Sequence, residues 1–225
     1  ERVDGVIAPG SDLAVGAAAR IAARYRLPHP ISPPTAVLSS SKLRQRERLE
    51  QEGVPQTRWK VVTEADDELG FPCVVKPTDR QARRGLALVR TQEELRDAVL
   101  AALRASRNGL CLVEELAHGP EVTVTGFSWR GRFQPLTVMD RLPLAHVWPS
   151  HHGEDAAELA EEAVRALGIE EGPSTTQLRL TPEGPRVVEV GARLGGGHDP
   201  ELCETALGVD LHGLALSAAL GEEIE

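Results

Sequence analysis

Aromatic side chains are nearly missing: Trp, Tyr and Phe together make up 3% of the 225 residues. The core must then rest on Val, Leu, Ile and Ala, within an apolar fraction of 41% that is ordinary for a globular chain. Cysteine is scarce too. Cys73, Cys111 and Cys203 lie far apart with no CxxC or CxxH spacing, so they suit a reducing compartment and offer no zinc site. Cys73 and Cys111 sit in apolar runs and read as buried small hydrophobes. No run reaches the roughly 20 apolar residues of a spanning helix, and no signal peptide opens the chain. These absences give the expectation of a cytoplasmic protein with no membrane partner. Positive charge is short: 25 Lys and Arg stand against 34 Asp and Glu, a net charge of −9 with no basic stripe. Nucleic-acid binding relies on clustered Lys and Arg, so that partner is excluded. Methionine occurs once, at Met139, and the chain begins with Glu1. It is expected to be an excised piece of a longer protein. Its length suits one large domain or two modest ones sharing a core.

What is there reads as alternating helices and hairpins. "VDGVIAPG" is an apolar strand, and "SDLAVGAAARIAARYRL" a helix with a Ser/Asp cap signal. "PHPISPP", residues 28–34, holds four prolines in seven positions and reads as an irregular linker. "SSSKLRQRERLEQEG" is a second helix, closed by Gly53. From about residue 59 strands dominate: "PCVVKPT", "GLALVRT" and "LCLVEEL", with a helix whose Thr91 and Glu94 form a capping box. "EVTVTGFSWRGRFQPLTVM" is a hairpin turning at Arg130-Gly131. A helix, "GEDAAELAEEAVRALGI", precedes two strands, "TTQLRLT" and "PRVVEV", and the tail from Asp199 is helical.

Several residues in this frame could carry chemistry. Lys76 ends a buried strand directly before a proline, the place of a snorkelling lysine or of a ligand contact. The next loop, "TDRQARRG", carries Arg80, Arg83, Arg84 and Gly85, and arginine charge with backbone N–H groups can cover phosphates. It is not a P-loop, because GxxxxGK[ST] is absent. Glu114, Glu115 and Glu121 surround a strand end and a Gly-Pro turn. They form either a solvated acidic loop or a hinge against a nucleoside. Gln177 and Glu189, twelve apart across a tight turn, can share one sheet face. Two such oxygen donors suit Mg²⁺, which is usually held by one or two carboxylates plus substrate phosphates. Arg193 can stabilise a phosphoryl group in flight. The run Gly195-Gly196-Gly197 lets a substrate approach the backbone closely.

In order along the chain, "SSSKLRQRERLEQEGVP", "FPCVVKP", "RRGLALVRTQEEL", "VEELAHGPEVTVTGF", "TTQLRLTPEGPRVVEVGARLGGG" and "ELCETALGVDL" resemble the ATP-grasp superfamily. The likeness is to its ADP-forming carboxylate–amine ligases, bacterial L-amino acid ligases above all. The resemblance implies an α+β ATP-grasp fold, with two α+β lobes gripping ATP between antiparallel sheets after the remnant of an α/β domain. Residues 1–40 would be that remnant, 41–117 the first lobe and 118–225 a truncated second lobe. It implies that Lys42 and Lys76 contact ATP phosphates and that Arg84 and Gly85 cover them. Glu114, Glu115 and Leu116 would meet adenine, and Glu121 the ribose. Gln177 and Glu189 would hold Mg²⁺ or Mn²⁺, and Arg193 would be the catalytic arginine. The implied partners are a small-molecule carboxylate, expected to be an amino acid, and an amine, with a homodimer in the full-length protein. The γ-phosphoryl of ATP would pass to the carboxylate, and the amine would then displace phosphate from the acyl phosphate.

Three positions depart from the family pattern. Gln177 stands where most relatives have Glu, Gly191 replaces the usual Asn, and the phosphate loop is rich in arginine rather than glycine. Two other readings therefore stay open. One is a carboxylase or carbamoyl-phosphate-type enzyme that uses bicarbonate. The other is a non-catalytic ATP-binding module whose metal site has decayed.

Overall fold

The strand-forming sequence divides between two antiparallel sheets. The computed structural model describes residues 3–66, 68–80 and 84–224. β1 (Trp59–Val62), β2 (Cys73–Pro77), β3 (Ala87–Val89) and β4 (Cys111–Glu115) form a four-stranded sheet in the order β1-β4-β2-β3. β5 (Glu121–Trp129), β6 (Arg132–Leu142), β7 (Ala145–Val147), β8 (Gly172–Thr181) and β9 (Gly184–Gly191) form a five-stranded sheet, ordered β7-β6-β5-β8-β9. Seven helices are described: α1 (Asp12–Tyr25), α2 (Pro33–Ser40), α3 (Lys42–Gln51), α4 (Gln92–Ala105), α5 (Glu154–Ala166), α6 (Asp199–Leu207) and α7 (Leu211–Leu220). The class is α+β, as the sequence predicts, and all three cysteines are free and buried. Among the described residues no helix is long and apolar enough to cross a membrane.

Each sheet buries one face in an aliphatic core. Val75, Val89 and Val113 of the small sheet pack on Leu95, Val99 and Ala102 of α4. Val122, Val124, Leu178 and Val187 of the large sheet pack on Ala160, Ala163 and Leu167 around α5. Ala36 of α2 and Leu49 of α3 join this second core, so α3 packs with the large sheet although the sequence groups it with residues 41–117. The opposite face of the large sheet is covered at one end, where Phe127 meets Leu211, Ala215 and Ala218. The rest of that face carries polar side chains, and Thr123, Thr175 and Gln177 among them face a cleft.

The structure corrects the local reading in four places. Residues 3–9 form no strand, because no neighbouring strand among the described residues offers them a ladder. The linker ends early: Pro33 and Pro34 open α2, where the missing N–H of proline costs nothing, and Ser32 Oγ accepts from Thr35 N–H at 3.2 Å. The second expected helix starts later, as α3 from Lys42, capped by extended Ser41 (φ −110°, ψ 115°), while Ser39 and Ser40 end α2. The capping box is shifted: Thr91 Oγ1 accepts from Glu94 N–H, but the Glu94 carboxylate accepts from Arg90 N–H rather than from Thr91. The short strand β7, pairing His146 with Arg141, carried no signal in the sequence. The Arg130-Gly131 turn forms as predicted, both residues having positive φ (52° and 77°), as a tight primed turn requires.

Candidate active site

A cleft of about 740 Å³ opens between the two sheets. Its floor is one face of the large sheet, and its roof is β2, β3 and β4 with Arg80 and Arg84. Lys42, Lys76, Arg84, Glu114, Glu115, Leu116, Glu121, Gln177, Glu189 and Arg193 all line it. Gly85 does not. It takes φ +73°, and a Cβ there would lie 2.8 Å from Pro77 Cγ, so glycine is demanded by packing behind the loop. Residues 81–83 of the arginine-rich loop, Arg83 included, lie outside the described residues.

On the floor, Gln177 and Glu189 are direct partners across β8 and β9. Just beyond them the register shifts, Leu178 pairing with Val187, so Val188 is left as a bulge that aims Glu189 into the cleft. Lys42 Nζ donates to Glu189 Oε1 at 2.8 Å and to the Arg80 carbonyl at 2.9 Å. Burial alone would raise the Glu189 carboxyl, but Lys42, helped by Lys76 and Arg193, holds it below the usual carboxylate range. Beside this pair Thr123, the cross-strand neighbour of Gln177, is 3% exposed, and its hydroxyl has no hydrogen-bond partner among the described residues. A buried hydroxyl left this way on a cleft floor is open to a polar ligand. Among the described residues no three His, Cys, Asp or Glu converge as a complete metal cage. The donor set, a carboxylate already holding a cation and a neighbouring amide oxygen, fits Mg²⁺ completed by phosphate oxygens.

In the roof, Lys76 is 4% exposed and its Nζ lies 2.8 Å from Glu114 Oε2. Arg46 Nε donates to the other oxygen of Glu114, also at 2.8 Å. Burial works to raise Glu114, but the two cations outweigh it and pull the carboxyl down to about 2. Its neighbour Glu115 is held by Arg58, through Nε at 2.6 Å and the backbone N–H at 2.8 Å. Leu116 N–H donates to the Pro72 carbonyl at 3.3 Å. Glu121 sits between two arginines, 2.7 Å from Arg179 and 3.1 Å from Arg141.

Arg193 lies at the inner end. Its Nε donates to Asp12 Oδ1 at 2.5 Å, its second terminal nitrogen meets Oδ2 at 3.4 Å, and the first donates to the Leu194 carbonyl. Gly191 adjoins this pair: a Cβ there would stand 3.4 Å from both Arg193 Cζ and Asp12 Oδ1, within ordinary contact distance. Nearby, His146 Nδ1 lies 2.5 Å from Asp199 Oδ1; burial raises the Asp199 carboxyl against the pull of His146.

The sequence missed Arg46, Asp12, Arg141, Arg179 and the His146–Asp199 pair. Asp12 read only as a helix cap, yet Ser11 makes no side-chain cap bond and Asp12 reaches Arg193 instead. Arg46 carried one usable signal. α3, KLRQRERLEQ, has two apolar residues in ten, so a buried face must hold polar groups and these need partners.

Two antiparallel sheets facing across a cleft of this kind define the ATP-grasp fold. The family described as the D-ala D-ala ligase C-terminus matches residues 43–142. An uncharacterized protein, y4rH, of Sinorhizobium fredii (strain NBRC 101917 / NGR234) is 31% identical over 223 residues, covering 91% of this chain and 46% of that protein. The crystal structure of an L-amino acid ligase from Bacillus licheniformis superposes with a TM-score of 0.84 at 27% identity, over 96% of this chain and 56% of the other. A D-alanine–D-alanine ligase from Bacillus anthracis, complexed with ATP, gives a TM-score of 0.75 at 18% identity, over 92% and 74%. The chain has the ATP-grasp fold and is similar to ATP-grasp ligases, and it spans only about half the length of the first two relatives.

Proposed function

We propose that this chain forms the nucleotide-gripping part of an ADP-forming carboxylate–amine ligase, with an amino acid as the activated acid. The observation that carries this reading is the convergence in one cleft of Lys76 from the roof with Lys42, Glu189 and Arg193 from the floor side. The lobes would be residues 41–117 and 118–225, with α3 of the first packed on the large sheet of the second. Lys42 and Lys76 would take the phosphates, β4 and Leu116 the adenine, and Glu121 the ribose hydroxyls. Glu189 and Gln177 would hold Mg²⁺, which when bound neutralises phosphate charge. Arg193 would steady the transferring phosphoryl group. No enzyme nucleophile is needed, since the substrate carboxylate attacks and the amine completes the exchange. ADP release from the full-length protein, screened over amino acids and bicarbonate, tests the reading. Amino-acid-dependent turnover supports it, bicarbonate-only turnover replaces it with a carboxylase, and tight ATP binding without turnover leaves a binding module.

Two binding predictions follow from the geometry. Lys76→Ala should weaken ATP binding by about 1.5–3 kcal/mol in calorimetry, the worth of a charge-assisted contact. Arg46 still pairs Glu114 in that variant, so the fold should persist. Unchanged affinity would remove Lys76 from the site. Lys42→Met should act in opposite directions on two ligands. Its ammonium occupies Glu189 Oε1, so its loss frees a carboxylate oxygen for a divalent cation. Mn²⁺ alone should bind about fivefold more tightly, matching the roughly 1 kcal/mol of a partly exposed ion pair, while MgATP binds more weakly. Electron paramagnetic resonance of free Mn²⁺ reads the first effect and calorimetry the second. Both moving the same way would count against the exchange.

A further inference from the structure

Arg46 is 2% exposed, on a helix otherwise rich in solvated charge. A buried guanidinium has five N–H donors, and any left unpaired costs heavily, so its acceptors show what it was placed to hold. Nε donates to Glu114 Oε1 at 2.8 Å. One terminal nitrogen donates to the Val187 carbonyl at 2.9 Å and to Gln56 Oε1 at 3.1 Å, and the other to the Val188 carbonyl at 2.8 Å. These acceptors belong to both walls of the cleft. Glu114 is on the small sheet and passes its second oxygen to Lys76. Val187 and Val188 are on the large sheet, at the bulge directly before Glu189.

We infer that Arg46 is a positioning residue that sets the spacing between Lys76 on one wall and Glu189 on the other. The inference deepens the proposed reading of the cleft and rests on it. The bulge residue Val188 lacks a ladder partner, so without Arg46 its carbonyl is unpaired and the strand can settle into another register. That would turn Glu189 away from Gln177. On the other wall, loss of Arg46 leaves Glu114 to Lys76 alone and draws the ammonium toward the carboxylate. A guanidinium suits this task because its planar fork fixes the directions of its bonds relative to one another. A lysine reaches one wall or the other but does not fix both.

A residue that only stabilised the fold would lower the melting temperature and leave a folded cleft unchanged. The positioning role predicts a different pattern in the full chain, measured well below melting. Two probes are needed: ADP at saturating Mg²⁺ by calorimetry, and free Mn²⁺ by electron paramagnetic resonance without nucleotide. Arg46→Lys should weaken both by about tenfold or more, because both walls lose their common reference. Glu114→Gln keeps Arg46 on the two carbonyls, so it should weaken ADP and leave Mn²⁺ within twofold of the parent. Arg46→Lys that stays folded and binds both probes normally would overturn the inference. So would Glu114→Gln that weakens Mn²⁺ as much as ADP, a result that decides the matter even if Arg46→Lys fails to fold. If the parent chain itself bound neither probe, the reading of the cleft would fall first, which is a distinguishable outcome.

Discussion

An Arg193→Ala variant of the full-length protein is expected to keep its affinity for ATP and to lose about 10²–10³-fold in kcat, the range seen when one preorganised donor to a developing oxyanion is removed. The reasoning starts from where the guanidinium is held. Asp12 takes Nε and approaches a terminal nitrogen, and the Leu194 carbonyl takes the other, so the group is fixed before any substrate arrives. Its charge is then available at no reorganisation cost when negative charge builds on the phosphoryl group and on the tetrahedral adduct. On the proposed reading ground-state nucleotide is gripped mainly elsewhere, by Lys42 and Lys76, so affinity should survive. Asp12 is 5% exposed, and removing its partner will also cost stability. Arg193→Lys separates the two effects. It keeps a cation beside Asp12 yet lacks the bidentate fork, so it should melt near the parent and remain slow. If the alanine variant lost nucleotide affinity while turning over each bound ATP normally, Arg193 would be a binding group only.

Glu189→Gln should raise the Mg²⁺ concentration for half-maximal activity by at least about 100-fold, or abolish turnover. Loss of a partner one shell further out already costs about 10–100-fold in many metal sites, so loss of the charged ligand should exceed that. Gln177 offers one neutral oxygen and cannot compensate. The floor would also gain a net positive charge, since Lys42 would face an amide in place of a carboxylate. Gln177→Glu is the opposite case. It puts a second carboxylate directly across the strand pair from the first and should lower the Mg²⁺ requirement. Activity measured across a Mg²⁺ titration reads both variants. No shift in either would remove these side chains from the metal and favour the binding-module reading.

The features that were legible from sequence depend on neighbours close in the chain. Alternation around Arg130-Gly131 announced a hairpin, and even spacing across a four-residue turn put Gln177 and Glu189 on one face. Their direct pairing and the bulge beside them depend on Arg46 and on the Gln56–Val187 bridge, contacts that no local pattern encodes. The partners of the charged groups were hidden for the same reason. Glu114 reads from sequence as an acid at a strand end, facing solvent or a nucleoside, while in three dimensions it is locked between Arg46 and Lys76. A cap signal at Ser11-Asp12 was ambiguous because an aspartate at a helix start serves the helix or a distant cation equally well, and here the cation won.

Asp12 and Arg193 are 181 residues apart in the chain, yet they meet as a close ion pair. Closing so long a loop carries a large entropic cost that local hairpins do not share. The β5–β6 and β8–β9 ribbons can therefore form well before α1 docks against them. During synthesis Asp12 also leaves the ribosome long before Arg193 exists to receive it. Until that long loop has closed, Arg193 lacks the carboxylate that fixes it, so a partly folded chain would hold no poised cation beside the cleft.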